Sequence, residues 1–206
     1  MTTSVKSDNL HSRYPIDYPV ALESEITVGP GRTFGLRPIR SEDAEKLVTF
    51  HQHLSSDSIY RRYFSFHPEL SRDEVSRFTQ VDYDNRLALV IEDGDQLVAV
   101  ARYDRLALTT TAEVAFIVRD DYQHLGLGRR LLADLATAAW SRGIRTFTAV
   151  TLCRNRAMMS VFLHSGFPMT SSVSQGEISL RLSIEPTQVT TTSPTAPEPE
   201  APHPWS

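Results

Sequence analysis

Between Ala112 and Trp140 the spacing of apolar positions changes from a continuous run to a helical repeat. Ala112 to Val118 reads Ala-Glu-Val-Ala-Phe-Ile-Val, rich in β-branched and aromatic residues with Glu113 its only charge, which predicts a strand buried on both faces. After Arg119 to Gly128, the residues Leu131, Leu132, Leu135, Ala138 and Ala139 recur at helical spacing. That pattern predicts a helix from Gly128 to Trp140 with one stripe against a sheet, ended by Gly143. Upstream, Glu25 to Arg40 patterns as a hairpin around Gly29-Pro30-Gly31. Ser41 is placed to cap a helix whose Ala44, Leu47, Val48 and His51 share a face, and Ser71 with Glu74 forms a capping box for another. Ser56 to Phe66 mixes aromatics with arginines and reads either as an amphipathic turn with solvated arginines or as a substrate-binding wall formed by Tyr60, Arg61, Arg62, Tyr63 and Phe64. Leu87 to Ile91 and Gln96 to Tyr103 flank the turn Glu92 to Asp95, and Thr109 to Val118 completes an antiparallel meander. Arg145 to Leu152 predicts a strand parallel to the central one. Asn155 is placed to cap a helix that Gly166 stops, and Glu177 to Ile184 alternates as a last strand. The elements predict an α/β (α+β) domain over residues 23–184. It would lie between a flexible arm, 1–22, and a disordered Pro/Thr/Glu-rich tail, 185–206.

The loop from Gln123 to Gly128 carries the chemical signal. Gly126 and Gly128 let the backbone turn tightly and approach a ligand, and the start of the following helix leaves amide N–H groups without intrahelical partners. With the positive end of the helix dipole, such groups suit a phosphate or pyrophosphate. A dinucleotide fingerprint would need a third glycine and a Walker loop would need Gly-Lys-Ser/Thr, so both are excluded.

Gln123, Gly126 and Gly128, following a strand, resemble in register the Gln/Arg-x-x-Gly-x-Gly/Ala pattern of the GNAT superfamily of acyl-CoA-dependent N-acyltransferases. A second match begins at Asn155 and runs through Asn-Arg-Ala-Met-Met-Ser-Val-Phe-Leu-His-Ser-Gly-Phe. Leu36-Arg37-Pro38-Ile39-Arg40, Ser41-Glu42-Asp43, Tyr60-Arg61-Arg62-Tyr63-Phe64 and Ala112-Glu113-Val114-Ala115 are similar to the bacterial Pat-type protein lysine acetyltransferases. The resemblance runs from about Phe34 to Leu182. It implies a GNAT fold: a mixed, mostly antiparallel sheet with a splayed central parallel strand pair and about four helices. Pat-type enzymes often carry an added cyclic-nucleotide-binding or synthetase-like domain, for which this sequence has no room, so a stand-alone catalytic domain is expected.

Lysine has a pKa near 10.4, so about one in a few thousand side chains is neutral at pH 7, a deficit of roughly 4.6 kcal/mol that a base must offset. Position alone leaves Glu113 either a base in the cleft, its pKa raised by partial burial, or a polar residue at the exposed start of its strand. The resemblance implies the base. It also implies an acetyl-CoA site. Phe116, Ile117 and Val118 would lie along pantetheine, and Gln123, His124, Leu125, Gly126, Leu127, Gly128 and Arg129 would hold the pyrophosphate. Asn155 would contact pantetheine or only cap its helix. Arg129 and Arg130 add charge to the phosphates or are solvated. A backbone N–H after Val118 is the expected oxyanion donor. Two departures from the family stand out. Phe162 replaces the tyrosine that protonates the departing thiolate, leaving solvent or Tyr122 to do so. His124-Leu125 stands where Gly-Arg is common, which removes a phosphate-facing arginine. Cys153 reads as a buried small hydrophobe or an acyl carrier, and no metal is expected.

The implied function is acetyl or short-acyl transfer from acetyl-CoA, as co-substrate, to the ε-amine of a protein lysine, in a ternary complex. An acyl-CoA synthetase is the candidate protein acceptor. The alternatives are a small-amine acetyltransferase and a catalytically idle acyl-CoA-binding protein. A net charge of -4 gives no reason to expect nucleic acid or a nonspecific membrane partner. No apolar run reaches the roughly 18 residues of a membrane span. With a polar N-terminus and one cysteine, a cytoplasmic protein is expected. The sequence leaves the oligomeric state open.

Overall fold

The computed structural model describes residues 18–185, so the expected flexible arm up to residue 17 and the expected disordered tail from residue 186 lie outside the described residues. Eight strands form one sheet: β1 (Ser24–Val28), β2 (Arg32–Pro38), β3 (Arg86–Asp93), β4 (Gln96–Arg105), β5 (Thr111–Val118), β6 (Thr146–Leu152), β7 (Met169–Ser174) and β8 (Glu177–Ser183). Their spatial order is β1-β2-β3-β4-β5-β6-β8-β7, antiparallel throughout except for the parallel pair β5 and β6. Five α-helices accompany them: α1 (Ala44–Gln52), α2 (Ser56–Tyr63), α3 (Arg72–Thr79), α4 (Leu127–Ser141) and α5 (Arg156–Leu163). This is the mixed α/β arrangement with a central parallel pair, carrying one helix more than expected.

The extra helix is α2. Ser55 accepts the N–H of Ser58 at its start, and Phe64, at φ 57°, ends it in the left-handed region, so the expected turn closes into two helical turns. Strand β7 was not anticipated, because five of its six residues are exposed and no apolar alternation marks it. Its ladder to β8 sets it in place. At Ser41 the expectation also fails in detail. The Ser41 hydroxyl bonds Glu42, and the N–H of Arg40 is taken instead by the Asp43 carboxylate at 2.8 Å.

The sheet is covered on both faces. On β3, Leu87, Leu89 and Ile91 point to the side packed by Leu131, Leu132 and Leu135 of α4. Ala88 and Val90 point to the side packed by Leu47 and Phe50 of α1. A strand apolar on both pleats is the sequence form of a two-sided burial. Within the segment expected as an arm, Tyr18 is buried, donates to Glu23 at 2.7 Å and meets the edge of Tyr83 with ring centroids 5.6 Å apart.

Arg37 ties the α1 side to the sheet. Its guanidinium donates to both carboxylate oxygens of Asp43 at 2.7 Å, and to Glu92 at 2.8 and 2.6 Å, while Lys46 adds a 3.1 Å bond to Glu92. Arg37 and Asp43 are buried. Burial alone would raise the pKa of Asp43 and Glu92, but hydrogen bonds from Arg37 outweigh it and hold both carboxyls below their ordinary range. A depressed folded pKa means stabilisation that is complete above the unfolded-state values, about 4, and lost as pH falls through the lower folded values. Arg37→Ala is therefore expected to destabilise the domain by about 3 to 5 kcal/mol at neutral pH, the penalty of stranding buried carboxylates. Chemical denaturation at pH 7 and at pH 3 checks this: the difference between wild type and variant should shrink at the lower pH. An undiminished difference would show that charge is not its source.

Candidate active site

The two parallel strands separate almost as soon as they meet. β5 and β6 share the register pairs Thr111 with Thr146, Ala112 with Phe147, and Glu113 with Thr148, and none beyond. β6 stays paired with β8 over its whole length, while β5 stays with β4 as far as Val118. The parting opens a cleft of about 560 Å³ between Val114 to Val118 on one side and Ala149 to Thr151 on the other.

The backbone of β5 is directed into that cleft. The N–H of Arg119 reaches the carbonyl of Val98 at 2.9 Å, which makes Ala99 and Val118 a pair without mutual hydrogen bonds. The N–H and C=O of Val118, and by alternation those of Phe116 and Val114, therefore point away from β4, to where β6 would have continued. The carbonyl of Val118 accepts a 3.2 Å bond from Gln123 Nε2. Unpaired main-chain groups along an open strand edge suit the amides of an extended ligand. The geometry also corrects the expected oxyanion donor. The N–H after Val118 is that of Arg119 and is already used, so the cleft-facing donors are those of Val118 and Phe116.

At one end of the cleft, Asp120–Tyr122 forms a single 3₁₀ turn. Tyr122 is buried, with its hydroxyl donating to Asp93 at 3.0 Å and the Arg119 guanidinium 4.5 Å over its ring. Burial and the Asp93 bond push the Tyr122 pKa up, so its proton is held by Asp93 and not offered to a leaving group. Asp120 accepts from the N–H and hydroxyl of Ser55 at 2.9 and 2.7 Å and from the hydroxyl of Ser58 at 2.8 Å, tying α2 to this turn. Burial would raise the Asp120 carboxyl pKa, but these bonds hold it below the usual range.

Gly126, at φ 80°, caps α4 in the left-handed region that glycine enters without a Cβ clash. The first-turn N–H groups of α4 lie at the cleft wall formed by Leu127, Gly128 and Arg129. Gly128 has ordinary φ and a different reason to lack a side chain: a Cβ there would sit 3.3 Å from Val161 Cγ2 on α5. Its role is close packing across the neck of the cleft. His124 also has positive φ, 64°, at the position where the related family commonly has glycine.

Of the eleven residues expected around the cofactor, ten line the cleft: Phe116, Ile117, Val118, Gln123, His124, Gly126, Leu127, Gly128, Arg129 and Asn155. Leu125 does not, because its side chain packs partly buried against the core. Arg130 is engaged with Asp134 at 2.6 Å. Asn155 is buried and its Oδ1 accepts the N–H of Met158 at 3.2 Å, so it caps α5 while lining the cleft. Phe162 packs edge to face on Phe116 with centroids 6.0 Å apart. Cys153 is exposed and away from the cleft lining, which overturns the reading of a buried hydrophobe and gives no support to an acyl carrier.

Glu113 lines the other end and is exposed, so the partial burial expected of it is not found in the free protein. The reason is topological: at Glu113 the neighbouring strand begins to leave, and α2 covers the opening only in part. Along the cleft, α2 contributes Ser58 near the loop end and Arg61 and Arg62, of which Arg62 feels the charge of Glu113. One wall residue escaped the sequence reading. Thr151 is buried, lines the cleft, and its Oγ1 has no hydrogen-bond partner among the described residues. Only its place on the diverging part of β6 gives it meaning. Among the described residues no group of three His, Cys, Asp or Glu could hold a metal ion, and no helix is long and apolar enough to cross a membrane.

The acetyltransferase (GNAT) family model matches residues 55–167. Acetyltransferase Pat of Mycolicibacterium smegmatis is 34% identical over 139 residues, covering 66% of this chain and 41% of that protein. An acetyltransferase of Pseudomonas aeruginosa is 33% identical over 141 residues, covering 66% of this chain and 76% of that one. The chain thus spans about two fifths of the first relative's length and three quarters of the second's. The crystal structure of the GNAT domain of S. lividans PAT is similar at a TM-score of 0.76 and 37% identity, over 81% of this chain and 99% of that one. With the splayed strand pair, the glycine loop and these matches together, the chain belongs to the GNAT family of acetyltransferases.

Proposed function

We propose that this acetyltransferase moves an acetyl group from acetyl-CoA to the ε-amine of a protein lysine, by direct attack in a ternary complex with Glu113 as general base. The observation that carries the reading is the polarity of the cleft. An amide-rich loop and helix start stand at one end, free main-chain groups of β5 run along it, and a single carboxylate stands at the other end. Pyrophosphate would rest on the N–H groups from Gln123 to Arg129, and pantetheine would pair with the edge of β5 between Val118 and Val114. Thr151 and Asn155 would face pantetheine from the opposite wall.

In the reaction the neutral amine attacks the thioester carbonyl, an N–C bond forms and the C–S bond breaks. Glu113 accepts the amine proton, directly or through one water. The oxyanion takes the N–H of Phe116 or Val118. Phe162 has no proton to give and the Tyr122 hydroxyl is held by Asp93, so the thiolate leaves with a solvent proton, as a pKa near 8.5 permits. Because Glu113 is exposed in the free protein, the docked acceptor itself supplies the desolvation that raises its basicity.

The lining also bears on the acceptor. Its one carboxylate, Glu113, stands with Arg62 and with Arg61, which Asp57 pairs, while Arg129 lies at the loop end. A polyamine or aminoglycoside would bring several cations to a basic wall, whereas one lysine brings a single amine to a single base. The open, solvent-facing end suits a side chain presented by a protein such as an acyl-CoA synthetase.

Two measurements test this. With acetyl-CoA and an acyl-CoA synthetase as acceptor, Glu113→Gln is expected to lower the rate of lysine acetylation at pH 7 by about 10²- to 10⁴-fold, read by peptide mass spectrometry. The gap should narrow as pH rises toward the lysine pKa and the neutral amine becomes abundant. Equal rates would remove Glu113 from the mechanism. For the donor, Gly128→Ala is expected to weaken acetyl-CoA binding about fivefold, near 1 kcal/mol, as the new methyl presses on Val161 at the neck. The double variant with Val161→Ala should regain the affinity in calorimetry, and no change in the single variant would place the donor elsewhere.

A further inference from the structure

Two neighbouring arginines, Arg62 at the cleft with Glu113 and Arg102 behind it on β4, are partly buried yet contact no carboxylate among the described residues. Arg32, Arg37, Arg40, Arg61, Arg86, Arg119 and Arg130 each contact a carboxylate. Arg62 of α2 and Arg102 of β4 make no ion pair and no side-chain hydrogen bond among the described residues. The Arg102 guanidinium lies 3.8 Å over the Phe78 ring and that of Arg62 lies 5.0 Å over Tyr63. Both border a recess of about 20 Å³ shared with His51, and Arg62 also lines the main cleft. In the ladder, Arg102 stands opposite Ala115, two residues along the same pleat from Glu113. Burial, then the charge of Arg62, brings the Arg102 pKa down to about 9, which leaves it charged at neutral pH. Two adjacent, partly desolvated cations are costly unless an anion joins them.

We propose that Arg62, backed by Arg102, is an anion subsite that takes a carboxylate side chain of the acceptor polypeptide close to the target lysine. The inference rests on the protein-lysine reading and narrows it to lysines with an acidic neighbour. The donor's phosphates are the wrong source for this anion. Their loop begins beyond Val118, five residues from Glu113 along β5, about 17 Å at a strand's rise. A carboxylate matches the planar, two-pronged donor face of a guanidinium, and the face of Arg62 open to it is the one that lines the main cleft, since the recess behind has room for about one water. Docked there, it also gives Arg62 a counter-ion other than Glu113, whose charge it now feels. The base is thereby left to the amine.

The test is a library of lysine-centred peptides with Glu, Gln, Arg and Ala randomised over the four positions on either side, incubated with acetyl-CoA and read by mass spectrometry. Wild type is expected to acetylate Glu-bearing peptides about tenfold more efficiently than their Gln counterparts, mostly through KM. Arg62→Gln should erase the preference, and Arg62→Glu should turn it toward Arg-bearing peptides, an inversion that damage to the fold cannot produce. Arg102→Gln should weaken the preference without lowering the melting temperature, since it removes one of two repelling charges. Acetylation that ignores the neighbouring residue, or a Glu preference that survives Arg62→Gln, overturns this inference alone. If no peptide is acetylated, and an intact acyl-CoA synthetase is not acetylated either, the protein-lysine reading falls and this inference with it.

Discussion

Everything in the site depends on β5 and β6 being unable to remain together. After Glu113 and Thr148 the two strands follow different partners, β4 and β8. Sheet twist accumulates between them with no cross-strand bonds to oppose it. An unpaired strand edge inside a protein exposes main-chain groups that would elsewhere be a liability. Here it is the main-chain surface on which an extended thioester could be laid. The parting also fixes the axis of the site, since the first unpaired residues lie beside Glu113 and the last lead into the glycine loop. The same event leaves Glu113 exposed and Thr151 buried without a hydrogen-bond partner among the described residues, two features that look unrelated until the missing rungs of the ladder are counted.

A cleft made by missing hydrogen bonds needs rigid borders. The loop end is held through Tyr122, whose ring lies among Phe34, Arg32 and Arg119 and whose hydroxyl binds Asp93. The opposite wall, α2, is only two turns long and polar, too short to be stable alone. Asp120 holds it by bonding Ser55 and Ser58, so the residue that leads into the glycine loop also positions α2. One carboxylate thus couples the loop end of the cleft to its α2 wall. On the far side of the sheet edge, the Arg37 cluster fixes the start of α1 against β2 and β3. Polar networks hold the site's perimeter while apolar packing holds its floor, where α4 lies on the sheet.

Legibility in the sequence followed the range of the forces. The strand, loop and α4 were readable because a period change, a left-handed glycine and a continuous apolar stripe are local signals. Helix α2 was not, because its hold comes from Asp120, more than sixty residues away in sequence. Strand β7 has no buried face to leave a pattern. Gly126 and Gly128 looked like one device and are two: the first answers to backbone conformation, the second to Val161 from another helix. The exposure of Glu113 and the use of the Arg119 N–H depend on where neighbouring strands run, which no periodicity in the strand itself encodes.

The exposure of Glu113 changes what the site asks of its acceptor. A base already buried would be strong in the free protein and indifferent to what approaches. An exposed carboxylate is an ordinary one until something excludes water from it. A thioester laid along β5 as proposed would do so from the loop side only, its main-chain contacts ending near Val114. The remaining cover must come from the acceptor, and a small amine brings little surface for that purpose, whereas a protein segment lying across α2 brings a great deal. Arg62, with Arg102 behind it, would sharpen the same requirement, since a basic wall repels an ammonium arriving alone. An amine accompanied by its own carboxylate meets both conditions at once, covering the base while neutralising the wall.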